Sequence, residues 1–568
     1  MHRIVHFDLK GAPPKLPFLE QVLRDIKSWG ATGVLLEWED SFPYSGNLAH
    51  LGSESNVGGD EMYSMDAVQH ILTMCREMGL EVIQLVQTMG HMEFVLKHPC
   101  HQHLREYDRS PAIICPEKQE SKDLVKQMVM QALAVQPDAK YFHIGADEVS
   151  HIGMCEDCSK RIKRIYYVDF WCIYLDHIRE LALFIKEQRP NITILMWDDM
   201  LRRMTPEVLE DYRELSQMVQ LVVWNYNERD KFRFPSGMWG TYNRYFPTVW
   251  AGSAFKGASG SSALYPTVSR YLNNQMAWVN EIRRASSQVK FVGVVFTGWS
   301  RYDHFATLCE LLPAAMNSLA NCLRCFVVGT FDNYICREIT LPPYEWAGLA
   351  VADCARRVAK VHDGYLQLTC GDMRMTWLNR WQIDKGFLNL FQVDNIEDFA
   401  KKLLFKLKIQ EKIATMHLCS IFGPRTCQEW LQTYVGTMEA GLTEVLHTIR
   451  SARRYDPCSS EYAFGVTHPT TEQGPSTIEQ VPSATEQGLS TTEQSLSTTE
   501  QGLSTTEQGL STTEQGLSTA EHSMVGQVPS MIGHILSSTS GSNEPVPLMV
   551  GQNPSADELV SSKIDDVS

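Results

Sequence analysis

The sequence predicts a (β/α)8 TIM barrel, followed by a helical region and a low-complexity tail. Three observations carry that prediction. Eight β-type runs alternate with amphipathic helical patterns, acidic and aromatic residues gather where those runs end, and the composition changes abruptly after residue 460. A doubly wound open sheet fits less well, because no Gly-rich dinucleotide turn follows any run. The expected boundaries are a catalytic barrel over 1–325, a helical C-terminal region over 340–456 and a disordered tail over 461–568.

In order, the β-type runs are RIVHFDL (3–9), GVLLEW (33–38), LEVIQLVQ (80–87), KYFHIG (140–145), ITILMW (192–197), VQLVVWNY (219–226), FPTVWAG (246–252) and KFVGVVFTGW (290–299). Between them, patterns such as LPFLEQVLRDIKSWG (16–30) and SMDAVQHILTMCREMG (64–79) repeat apolar residues at three and four and close on Gly. After residue 340 the β-type runs thin out. FAKKLLFKLKIQEKIATMHLCSIF (399–422) and CQEWLQTYVGTMEAGLTEVLHTIRSARR (427–454) read as amphipathic helices packed on the barrel. In the tail, TEQGLST returns every seven residues over roughly 471–523. Each repeat supplies one Leu, a Gly and no second apolar position, so it builds no coiled-coil seam and is expected to be disordered.

Composition narrows the function. A chain of 568 residues that is 43% hydrophobic and 21% charged can bury a large core. Its net charge of −16 argues against a nucleic-acid partner, since phosphates demand a basic surface. No stretch offers the roughly 18 uninterrupted apolar residues of a membrane span. The opening MHRIVHFDLKGAPP is interrupted by His6 and Asp8 and is too short for a signal-peptide core. Fifteen scattered cysteines, an odd number, favour a reducing compartment, cytoplasm or nucleus. Cys155-x-x-Cys158 and Cys322-x-x-Cys325 have metal-ligand spacing but lie far apart, so unpaired thiols are the expectation and no metal site is assigned.

The chemistry concentrates in YFHIGADEVS (141–150), at the end of the fourth run. There Asp147 and Glu148 fall on a βα turn, which can aim both side chains into the barrel mouth. On spacing alone, the pair equally fits a helix N-terminus, where acids complement the macrodipole. Trp197, Trp224 and Trp299 end the fifth, sixth and eighth runs, as core packing or as apolar walls for a sugar ring.

His143, Gly145, Asp147 and Glu148 match His-x-Gly-x-Asp-Glu, and over residues 1 to about 325 the chain resembles glycoside hydrolase family 20, the β-N-acetylhexosaminidases. It looks most like the nucleocytoplasmic branch. Lysosomal members carry an extra N-terminal domain and a signal peptide, whereas this sequence starts at the first run. The resemblance implies a retaining exo-glycosidase that removes terminal β-linked N-acetylhexosamine from a glycoconjugate or oligosaccharide. It also implies a preference for galactosaminides, no metal or organic cofactor, and a homodimer.

The family's nucleophile is the substrate's own acetamido oxygen. By the match, Glu148 is the general acid and base, and Asp147 holds the acetamido group. The ionised neighbour Asp147 is expected to keep Glu148 protonated.

The resemblance places Trp197, Trp224 and Trp299 around the sugar. Lys10, with Asp8 beside it, stands where relatives use an Arg, and lacks its planar fork. His91 is either a match to a family Gly-His or a loop histidine; Glu37 and Glu39 are hydroxyl ligands or rim charges. The seventh run has no Tyr for the acetamido oxygen, leaving Tyr226, the favoured candidate, and Tyr302. A competing class is an inactive sugar-binding or scaffolding barrel. The intact acid pair argues against it, because a binding module needs no protonated acid beside an ionised one.

Overall fold

The computed structural model describes residues 1–52, 62–164, 170–328, 346 and 348–453. Eight parallel strands close a barrel: β1 (His2–Asp8), β2 (Gly33–Glu37), β3 (Glu81–Leu85), β4 (Tyr141–His143), β5 (Thr193–Trp197), β6 (Val219–Trp224), β7 (Thr248–Lys256) and β8 (Lys290–Gly298). Each pairs with its sequence neighbours, and β1 closes on β8 through His2 opposite Gly293 and Val5 opposite Phe296. All eight expected runs are therefore strands of one sheet.

Residue parity sorts the two sides of the barrel wall. Along β1, Val5 and Phe7 pack outward beneath the helices, while Ile4 joins Leu35, Ile83, Leu195, Val222 and Val295 inside the barrel. The interior is thus a packed apolar plug below a polar mouth. The helices cover it as the periodicity predicts. Leu16–Ser28 buries Leu19, Val22, Leu23 and Ile26 at helical spacing, and Met65–Glu77 starts with the Ser64 hydroxyl accepting the Ala67 N–H.

Two local differences bear on the site. Strand β4 ends at His143 rather than running to Gly145, because the backbone enters the left-handed region at Gly145, with φ 63°. Between β3 and helix Gln119–Ala134, the chain makes a hairpin that pairs Arg105–Tyr107 with Ser110–Ile114, which period-two reading of so short a segment did not reveal.

The C-terminal region is helical, as expected. Helices Leu349–Thr369 and Leu390–Ile421 carry it, and Pro424–Trp430 continues through a π-helical turn, Leu431–Gly436, into Thr437–Arg453. That wider turn buries Tyr434, whose hydroxyl donates to the Leu308 carbonyl beyond β8. Arg301 also grips the region, with both guanidinium nitrogens 2.6 Å from the Glu429 carboxylate. The expected tail, 461–568, lies outside the described residues.

Candidate functional site

The turn after β4 builds the centre of the site. At Gly145 a Cβ would stand 1.9 Å from Gln87 Oε1 at a φ of 63°, so any other residue there would strain the backbone and displace Gln87. Ala146 and Glu148 also take positive φ, 64° and 51°, which ordinary side chains resist. The contorted turn aims two adjacent carboxylates at one cavity instead of opposite faces. Asp147 is buried and accepts from Gln87 Nε2 at 3.3 Å, whereas the Glu148 side chain is 58% exposed. The Glu148 N–H donates to Asp199 Oδ2 at 3.0 Å, and the Tyr174 hydroxyl donates to the Ala146 carbonyl at 2.8 Å, fixing the turn from below.

His91 stands between the two acids, its Nε2 3.4 Å from Asp147 Oδ2 and 3.4 Å from Glu148 Oε2. Burial works against its charged form, but the two carboxylates outweigh that and raise the imidazole well above its ordinary pKa. The hydrogen bond from His91 in turn lowers the Glu148 carboxyl. The expectation that Asp147 holds Glu148 protonated is therefore corrected: beside this histidine Glu148 is held ionised. The carboxyl that is pushed up is Asp199, to about 7, by burial and then by the charge of Asp147.

The sector under β1 and β2 is a dense ion cluster. Lys10 Nζ lies 3.1 Å from Asp8 Oδ2 and 3.6 Å from both Glu37 Oε1 and Glu39 Oε1, all nearly sealed from solvent. Burial acts to lower the ammonium, yet Asp8, Glu37 and Glu39 raise it well above normal. Glu37, also paired with His6 at 2.9 Å, is held low against its burial by Lys10 and His6. Burial pushes Glu39 up to about 8 despite Lys10. Glu37 and Glu39 are thus neither rim charges nor free hydroxyl ligands.

One cavity of about 250 Å³ gathers most of the expected residues: Asp147, Glu148, His91, Lys10, Trp197, Trp224, Tyr226, Trp299 and Tyr302. Its size lies just under the roughly 300–1,000 Å³ of drug-sized pockets, the scale of a single sugar unit. Trp197 forms a fully buried floor, 5.8 Å from Trp299 between ring centres. Trp224 stacks on Tyr226 at 5.0 Å and donates its indole N–H to Asp199 Oδ1 at 3.3 Å. The Tyr226 hydroxyl faces Thr297 and Trp299, deep in the cavity. Tyr302 sits at the rim, 45% exposed, and its hydroxyl accepts the Gly260 N–H.

Two expected residues are not among those lining the cavity. His143 points into the barrel interior, where strand parity sends it; its Nδ1 accepts the Gly145 N–H at 3.0 Å and its ring lies 4.6 Å from Trp197. Burial drops its pKa to about 3, so it supports the floor as a neutral ring. Asp8 lies beneath Lys10 and accepts the Ser300 N–H at 2.7 Å.

Sequence reasoning passed over Gln87, Asp199 and Arg301. Gln87 closes the third β-type run and Asp199 follows the fifth by two residues, so the strand-end rule could have found them. Among the described residues, neither candidate metal-ligand cluster, Glu106/Cys115/Cys155/Cys158 or His50/Cys100/His101, is part of this cavity.

Residues 38–234 match the glycosyl hydrolase family 20 catalytic domain. The chain is 35% identical over 456 residues to hexosaminidase D of Homo sapiens, covering 76% of this chain and 91% of that protein. It is 38% identical over 330 residues to hexosaminidase D of Bos taurus, covering 58% of this chain and 93% of that protein. A solved β-N-acetylhexosaminidase from Bacteroides fragilis is 15% identical, with a TM-score of 0.42 over 56% of this chain and 65% of that one, just under two thirds of its length and too loose to carry an argument. With a relative at this identity matched over nearly its whole length, the chain belongs to glycoside hydrolase family 20, the β-N-acetylhexosaminidases.

Proposed function

We propose that the protein is a retaining exo-hydrolase that releases terminal β-linked N-acetylhexosamine through a substrate-assisted oxazolinium intermediate. The observation that carries this reading is the unequal exposure of two adjacent acids at one small cavity. Asp147 is buried and held by Gln87, while Glu148 is open to solvent. A buried, oriented carboxylate suits an acetamido N–H and the positive charge that develops beside it. An open one suits the leaving oxygen and later the attacking water.

In this mechanism the acetamido oxygen attacks the anomeric carbon as the glycosidic bond breaks, and a proton passes to the leaving oxygen. Water activated by Glu148 then opens the oxazolinium. His91, with its raised pKa, is the proton store: a bound sugar shields Glu148 from water, which raises its pKa, and the proton moves from His91 to Glu148. The walls of Trp197 and Trp299 pack the sugar and the acetamido methyl, and Tyr226 donates to the acetamido oxygen.

The substrate is a glycoconjugate or oligosaccharide with a terminal hexosamine, with galactosaminides preferred. The site of action is the cytoplasm or nucleus, a reading supported by thirteen unbridged cysteines among the described residues. No helix among those residues is long and apolar enough to cross a membrane.

Proton NMR during hydrolysis of p-nitrophenyl β-N-acetylgalactosaminide and its gluco epimer tests the reading. The β-anomer should form first, and the matching glycoside with a 2-hydroxyl should be inert. An α-anomer as first product, or equal turnover of the 2-hydroxyl glycoside, refutes it.

A further inference from the structure

We propose that Glu106, Cys115, Cys155 and Cys158 form a structural zinc site that clamps the loop carrying Asp147 and Glu148. The four come from the hairpin after β3 and from the start of one helix after β4. Glu106 lies in the first hairpin strand, Cys115 just after the second, and Cys155 and Cys158 at the start of helix Glu156–Arg164. Folding brings the Cys115 sulfur 3.2 Å from that of Cys155 and 3.6 Å from that of Cys158, and the Cys158 sulfur 3.1 Å from Glu106 Oε2. All four donor atoms lie within 4.8 Å of one another.

These separations suit one tetrahedral ion. Zn–S bonds of about 2.3 Å and Zn–O bonds of about 2.0–2.2 Å put neighbouring donors roughly 3.5–3.8 Å apart. The groups around the donors are also oriented. The Cys158 N–H donates to the Cys155 sulfur at 3.3 Å, and Glu106 Oε1 accepts N–H bonds from Met154 at 2.7 Å and Cys155 at 3.3 Å, turning Oε2 toward the sulfurs. Glu106, Cys115 and Cys158 are essentially sealed from solvent, with Ile152, Ile162 and Ile173 packed around them. The hydrogen-bond partners of Glu106 are two amides and a thiol, none of them cationic. A bound cation answers a buried carboxylate in that setting.

Three sulfurs select a soft or borderline ion over magnesium or calcium, and four protein donors leave no open position for catalysis. A disulfide explains less. The 3.2 Å contact is well beyond a bond of about 2.05 Å, and one bridge would leave a thiol and the carboxylate without a role. The ion displaces the thiol protons on binding and joins the loop after β4 to the hairpin after β3. Cys155 follows Glu148 by seven residues, so the clamp anchors the far end of a turn whose Ala146 and Glu148 hold positive φ.

The test is metal content of the full chain purified without added chelator, with Cys155→Ser/Cys158→Ser and, as a control, Cys322→Ser/Cys325→Ser. Wild type and control should carry zinc that the first variant loses, together with a lower Tm. Wild-type protein titrated with a thiol-blocking mercurial should release the zinc, a readout that needs no variant to fold. Cobalt taken up in its place should give thiolate-to-cobalt charge-transfer absorption. Wild type that carries no zinc and takes up no cobalt under reducing conditions overturns the proposal, as does zinc content unchanged by Cys155→Ser/Cys158→Ser.

Discussion

Two groups of acids face the same end of the barrel and meet opposite fates. Under β1 and β2, Asp8, Glu37, Glu39 and Asp40 are sealed from solvent: Lys10 reaches the first three, and Lys97 stands 3.7 Å from Asp40. Beyond β4 and β5, Asp147 and Glu148 share His91 at 3.4 Å, and Asp199 accepts the Glu148 N–H and the Trp224 indole N–H. The first group is a fixed charge network in which Lys10 is tied three ways. The second has one member, Glu148, open to solvent, so its protons can move. What separates structure from chemistry here is access to water, not the type of acid.

The largest expected effect breaks the mobile group. Glu148→Gln removes the proton donor, so turnover of substrates with poor leaving groups should fall on the order of 10²–10⁴-fold, and much less for activated aryl leaving groups. Asp147→Asn should cost about 2.7–4 kcal/mol of transition-state stabilisation, roughly 10²–10³-fold, evenly across leaving groups. Kinetics on a graded series of aryl glycosides separates the two. Equal leaving-group sensitivity in both variants would defeat the division of roles.

The fixed group should answer in stability. Lys10→Met strands three buried carboxylates and should destabilise the fold by about 3–5 kcal/mol in urea unfolding. An unchanged midpoint would mean that the cluster is not held by that ammonium.

A smaller effect sharpens the same contrast through pH. Because Glu39 sits at about 8 when folded, against 4.5 ordinarily, the folded state binds more protons than the unfolded chain between those values. Its contribution to stability therefore falls as pH rises from about 4.5 to 8. Glu39→Gln should flatten that slope and raise the relative Tm at pH 8; identical slopes in a Tm series from pH 5 to 8 would count against it. The smallest effect lies outside both groups: ending the chain at residue 460 should leave Tm and turnover nearly unchanged, since the repeats supply no apolar seam.

How much was legible in the sequence follows from the range of each signal. Strand and helix periodicities are properties of consecutive residues, so the eight β-type runs were readable and all are barrel strands. The pair at Asp147 and Glu148 was readable because its glycine and its acids fall within four consecutive residues, 145–148. The state of those acids was not, since His91 lies 56 positions before Asp147 and its place between them depends on two loops meeting. His143 was misplaced for a related reason: the motif names the residue, but strand parity below the turn decides that it faces the plug rather than the cavity.

The sequence by itself determined the layered architecture, the chemistry available at each strand end and the motif that carries the family, because each is written in local spacing. Only the tertiary structure decided which charges answer one another. Barrel closure sets β1 against β8, seats Arg301 on Glu429 across 128 positions and brings Glu106 and Cys115 to Cys155 and Cys158. Electrostatics acts through space at a few ångströms, so its partners are chosen by packing, which no local pattern of residues encodes.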